Sequence, residues 1–143
     1  MSTSSVLLVE DHAGFAQALL TILGQNENLN VIAVAESAEK ALELLTELKV
    51  DLVLVDLSLP DMSGMSLISI LHEKYPRLHC LVISGHLSVQ YARRALEAGA
   101  RGYLIKDNPA GILTGIQHVL RGEIYVSEEL RNPGSTDLIT DLT

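Results

Sequence analysis

The feature that most constrains the fold is an alternation. Five short apolar runs, Val6–Val9, Val31–Val34, Leu52–Val55, Leu81–Ile83 and Tyr103–Ile105, are separated by stretches with helical spacing. Apolar runs of this length without polar alternation predict strands buried on both faces, as in a parallel sheet. The stretches between and after them carry apolar stripes: Phe15, Leu19, Ile22 and Leu23; Ala38, Ala41, Leu42 and Leu45; Leu67, Ile70 and Leu71; Val89, Ala92 and Leu96; Ile112, Ile116, Val119 and Leu120. The punctuation agrees. Ser37 and Ser88 stand where N-caps belong, Asn108-Pro109 reads as an N-cap followed by Pro at the first helical position, and Gly99 and Gly122 fall where helices should stop. Together these predict an α/β fold, a (βα)5 unit with a doubly wound, five-stranded parallel sheet and helices on both faces. Gly111 and Gly115 each weaken the last helix by about 1 kcal/mol relative to Ala.

A chain of 143 residues suits one such domain. We expect residues 1–5 to be disordered, residues 6–125 to form the domain, and residues 126–143 to be a linker toward an output domain absent from this chain. Glu123–Arg131 is weakly patterned, and Asn132-Pro133-Gly134-Ser135-Thr136 has linker composition. The start lacks a basic n-region and no apolar run approaches bilayer length, so a cytoplasmic protein without membrane contact is expected. Formal charge is −8, from 18 acidic and 10 basic residues, which makes the chain alone a poor binder of duplex DNA. The single Cys80 lies in an apolar run and reads as a buried, inert thiol.

In an open parallel sheet, ligands bind beyond the carboxyl ends of the strands. The first run delivers Glu10-Asp11 there, the third Asp56, the fourth Ser84-Gly85 and the fifth Lys106. Singly these are ordinary loop carboxylates, a cap hydroxyl and a surface lysine. Together they form an acidic cluster with one cation and one hydroxyl. Clustered carboxylates raise one another's pKa unless a cation sits among them, and oxygen ligands with room for water suit Mg²⁺. A metal bridging carboxylate and phosphoryl group neutralises charge in an in-line transfer. On this reading Asp56 is the nucleophile and Lys106, the Ser84 hydroxyl and the Gly85 N–H receive phosphoryl oxygens.

These residues resemble the response-regulator receiver family over about residues 5–125. Val9-Glu10-Asp11 is similar to its acidic pair. Leu54-Val55-Asp56 with Leu59-Pro60-Asp61-Met62-Ser63-Gly64 is similar to its phosphoacceptor strand and loop. Ile83-Ser84-Gly85 matches its switch hydroxyl, and Gly102-Tyr103-Leu104-Ile105-Lys106 its switch aromatic and lysine. The resemblance implies a flavodoxin-like fold with strand order 2-1-3-4-5. It implies that Asp11 ligates the metal directly and Glu10 through water, with Asp56 and the Ser58 carbonyl completing the set, and that the phosphodonor is a cognate sensor histidine kinase. It further implies a two-position Tyr103 ring, outward at rest and inward when Ser84 swings toward the phosphoryl group; the plain alternative is a core ring. Ser58 and His86 are the positions expected to tune water attack on the acyl phosphate. His12, Lys106-Asp107 and Gly122-Glu123-Ile124-Tyr125-Val126-Ser127 resemble the nitrate-regulator-like branch, whose members carry a helix-turn-helix output domain. Leu138–Thr143 is similar to the lead-in to that domain. DNA binding through it, and a homodimer when phosphorylated, follow from the same resemblance. Many receivers place Pro after the lysine in a cis linkage; before Asp107 a cis bond would cost about 3 kcal/mol, which weighs against that geometry.

The expected protein is therefore a signalling phosphoacceptor and not a turnover enzyme. Three alternatives use the same architecture, and the complete site argues against one of them, a degenerate receiver that signals without phosphate. A Mg²⁺-dependent phosphatase with an Asp nucleophile wants a second acid two residues on, where this chain has Ser58. A flavin or nucleotide binder wants a Gly-rich cradle after the first strand, where this chain has Glu10-Asp11-His12-Ala13.

Overall fold

The computed structural model describes residues 3–131. Strands and helices alternate: β1 (Ser4–Val9), α1 (Ala13–Leu23), β2 (Leu29–Ala35), α2 (Ala38–Leu45), β3 (Leu52–Asp56), α3 (Gly64–Lys74), β4 (His79–Ser84), α4 (Val89–Ala98), β5 (Gly102–Ile105), α5 (Pro109–Leu120) and a short β6 (Tyr125–Val126), followed by one 3₁₀ turn at Glu128–Leu130. All strand pairs are parallel, in the order β2-β1-β3-β4-β5-β6. This is the expected flavodoxin-like order, extended by one strand.

Strand alternation divides the core into two layers. Leu7, Val9, Val53, Val55, Val82, Tyr103 and Ile105 pack against α2, α3 and α4. Val6, Leu8, Leu52, Leu54, Leu81, Ile83 and Leu104 pack against α1 and α5. Each fully buried Leu, Ile or Val contributes about 1.5–3 kcal/mol, so these central strands supply much of the driving force.

The caps form as read. Ser37, Ser88 and Asn108 accept N–H bonds from Lys40, Tyr91 and Gly111, and Gly99 ends α4 with φ 117°. Despite its glycines α5 is continuous. A Cβ at Gly115 would lie 2.5 Å from Leu104 Cδ2, so the glycine permits close helix–sheet approach.

Four expectations need correction. β1 starts at Ser4, so Ser4 and Ser5 are not a disordered leader: the Ser4 N–H donates to Asn28 O and the Ser5 N–H to Asp51 Oδ2. β2 is not buried on both faces, because it is an edge strand, and Val34 is 36% exposed. Among the described residues the sheet has six strands, not five. Residues 126–130 are not linker: Val126, Ser127 and Leu130 are buried because the segment extends the sheet beside β5. Met1, Ser2 and the expected linker and output lead-in over 132–143 lie outside the described residues. No helix among the described residues is long and apolar enough to cross a membrane.

Candidate functional site

β1, β3, β4 and β5 are neighbours in one parallel sheet, so their carboxyl ends arrive at one edge. Carboxylate oxygens of Glu10, Asp11 and Asp56 all lie within 4.8 Å of one another. Glu10 and Asp56 are buried, at 1% and 4% exposure, while Asp11 is exposed. The Lys106 ammonium bridges the buried pair, 2.8 Å from Glu10 Oε1 and 3.2 Å from Asp56 Oδ2. Its Nζ also stands 4.6 Å from the centre of the Phe15 ring, a cation–π contact.

The electrostatics follow from this crowding. Burial raises the Glu10 pKa; the Lys106 bond opposes the rise and the nearby Asp56 adds to it. Burial works against the Lys106 ammonium, but the bond to Glu10 and the charges of Asp56 and Glu10 outweigh it and hold its pKa above the ordinary value. One ammonium does not neutralise three carboxylates. The oxygen donors and the surplus negative charge fit a hard divalent cation such as Mg²⁺, and lack the nitrogen or sulfur of a zinc or copper site.

Local structure fixes each group. The Asp56 Oδ1 accepts the Ser58 N–H at 3.1 Å, and the Leu57 N–H donates to Ile83 O, tying the end of β3 to β4. A Cβ at Gly64 would sit 2.5 Å from Asp56 O, so only glycine lets α3 begin this close to the end of β3. Glu10 Oε2 accepts the His12 N–H, and His12 Nδ1 caps α1 by accepting the Phe15 N–H. Ser84 is buried at the end of β4, and its Oγ accepts the His86 N–H at 2.9 Å. Gly85 is exposed, and a Cβ there would meet nothing within 4 Å. Ser58 is exposed beside Asp56.

Tyr103 points inward: its ring is fully buried and its hydroxyl donates to His86 O at 2.7 Å. Burial raises its pKa. His86 meets Tyr91 edge to face, with ring centres 5.2 Å apart. Beside them lies a cavity of about 450 Å³ lined by Leu57, Ser58, Ser63, Met65, His86, Tyr91 and Arg94. A larger groove, about 890 Å³, opens at the opposite end of the sheet, around Lys49, Asp51, Lys74 and Arg77, away from the carboxylates. The Lys106–Asp107 bond is trans, as there are no cis peptide bonds among the described residues.

Several contributors carry little local signal in the sequence. Phe15 belongs to the apolar stripe of α1 and also backs Lys106. The two oxygens of Asp61 accept the Ala38 and Glu39 N–H groups at 3.0 and 2.9 Å, tying the β3–α3 loop to the start of α2. Ser63, the N-cap of α3, was legible from its place before Gly64.

The sequence matches the family model described as response regulator receiver domain over residues 6–117. It is 36% identical over 126 residues to the transcriptional activator protein ExaE of Pseudomonas putida, a match covering 87% of this chain and 59% of ExaE. It is 30% identical over 128 residues to the nitrate/nitrite response regulator protein NarL of Escherichia coli, covering 89% of this chain and 59% of NarL. The chain thus spans less than two thirds of the length of these curated relatives. Among solved structures, it is similar to a two-component response regulator of the LuxR family from Aurantimonas sp. SI85-9A1. The TM-score is 0.86 at 28% identity, covering 98% of this chain and 97% of that one.

Proposed function

Since the chain belongs to the response-regulator receiver family, we propose that it is a phosphorylation-controlled switch in which Asp56 accepts a phosphoryl group from a sensor histidine kinase. The observation that carries this is the meeting of Glu10, Asp11 and Asp56 within 4.8 Å, with Lys106 spanning two of them. Glu10, Asp11, Asp56 and the Ser58 carbonyl would hold Mg²⁺, which when bound offsets the charge on the transferring phosphoryl group.

The chain's own residues do the rest. An Asp56 carboxylate oxygen forms the bond to phosphorus as the bond from phosphorus to the donor breaks, and the donor leaves with that electron pair. Lys106, already 3.2 Å from Asp56, exchanges a carboxylate oxygen for a phosphoryl oxygen. The Ser84 hydroxyl and the Gly85 N–H supply further donors. Ser58 and His86 flank the path of water and tune hydrolysis of the acyl phosphate. Ser84 and Tyr103 form the switch, with Ser84 moving toward the phosphoryl group and the Tyr103 ring held inward.

The receiver is a signalling domain and not a turnover enzyme. In the whole protein, phosphorylation controls a DNA-binding output and favours a homodimer, in the cytoplasm. The role of transcriptional activator named for ExaE supports the DNA-binding output.

The test is labelling with acetyl phosphate and Mg²⁺, read by intact mass. One acid-stable, base-labile phosphate is expected, absent without Mg²⁺ and absent in Asp56→Asn. A labelled Asp56→Asn protein would refute the assignment, and fast turnover of phosphate esters would point to the phosphatase chemistry instead.

A further inference from the structure

The backbone around Lys106 is held from two sides. On the inner side, the Lys106 N–H donates to Ser84 O at 2.9 Å. On the outer side, the segment after α5 supplies the partners. The Tyr125 N–H donates to Arg101 O and the Ser127 N–H to Tyr103 O, both at 3.0 Å, continuing the parallel ladder along β5. The next outward donor is the Ile105 N–H. The chain has by then left the ladder for its 3₁₀ turn, and the Ser127 hydroxyl accepts that N–H instead, at 2.9 Å. Two residues beyond Lys106, Asn108 Nδ2 donates to Glu129 Oε2 at 3.2 Å. Ser127 is only 4% exposed, and Val126 and Leu130 beside it are buried.

We propose that residues 125–130 form a clamp that positions Lys106, and that Ser127 is its positioning residue. This rests on the reading of Lys106 as a phosphoryl-binding group. Lys106 must reach Glu10 at 2.8 Å and Asp56 at 3.2 Å over the Phe15 ring, from the position just after an edge-proximal strand. Without the Ser127 hydroxyl, the Ile105 N–H loses its acceptor and the β5–α5 turn is free to shift. A displacement of about 1 Å in such a group is enough to slow transfer by about a hundredfold.

Ser127→Ala removes the acceptor at almost constant volume, and Ser127→Thr restores it. With acetyl phosphate at saturation, Ser127→Ala should slow Asp56 labelling by about tenfold or more, with Mg²⁺ affinity by calorimetry changed by less than about twofold. Ser127→Thr should recover most of the rate, a rescue that mere loss of packing would not give. By NMR, Ser127→Ala should speed exchange of the Ile105 amide and move the Lys106 Nζ resonance. Should Ser127→Ala fail to fold, Glu129→Ala, at the exposed arm of the clamp, should lower the rate by about twofold and move the same resonance. A freed Ile105 amide with an unmoved Lys106 resonance and an unchanged labelling rate would overturn the proposal. If the wild-type protein takes no phosphate, the Asp56 reading fails by itself. The clamp is then decided by the Lys106 resonance, which supports it by moving in Ser127→Ala and overturns it by staying.

Discussion

Lys106 and Asp61 answer pH in opposite directions. The folded pKa of Lys106 lies above the ordinary value of 10.5, burial being outweighed by its bond to Glu10 and the charges of Asp56 and Glu10. A raised pKa contributes stability that is fully present below 10.5 and lost as pH climbs through the folded value. Urea denaturation of the metal-free protein at stepped alkaline pH should therefore show a decline past pH 10.5 that Lys106→Gln flattens. In Asp61 the N–H groups of Ala38 and Glu39 lower the carboxyl pKa below 3.8. That contribution is present above 3.8 and disappears as pH falls through the folded value. The Ala38 and Glu39 amide resonances should titrate together, with a midpoint below 3.8, and the transition should be absent in Asp61→Asn.

Among the elements, α5 shows where local preference and packing disagree. Replacing an exposed helical glycine by alanine gains about 1 kcal/mol of propensity. At Gly115 the added methyl would meet Leu104 Cδ2 at 2.5 Å and Tyr125 Cδ2 at 3.1 Å. Overpacking of this kind costs about 1–3 kcal/mol, so Gly115→Ala should lower the urea midpoint, whereas Gly111→Ala, which meets mainly the end of the Asn108 side chain, should cost less. The same contrast explains what the sequence made visible. β3 was legible because both faces are buried and its residues are uniformly apolar. Asp56 and Lys106 were legible because a polar residue ending an apolar run has one place to go. β6 was not, since two residues carry no period and Tyr125-Val126 becomes a strand only by lying beside β5. The roles of Phe15, Asp61 and Ser127 depend on partners between 22 and 91 positions away, which no local pattern encodes.

At the level of the whole molecule, Cys80 reports on the integrity of the sheet. It sits inside the layer formed with α2, α3 and α4, and burial pushes its thiol up to about 12. Alkylation by iodoacetamide at neutral pH should therefore track global unfolding and accelerate sharply once urea passes the transition. The sheet's connectivity has a kinetic consequence as well. Each pairing joins residues far apart in the chain: Ser4 with Leu29, Val6 with Leu52, Leu52 with His79, Leu81 with Gly102 and Gly102 with Tyr125. Among the described residues no two strands pair as a hairpin, and the central β1–β3 contact must wait until an intervening strand and two helices have been passed over. Closing such loops costs entropy before any contact repays it. Refolding should be slower than that of helical bundles of similar size, with β1 the strand whose late or early docking sets the rate.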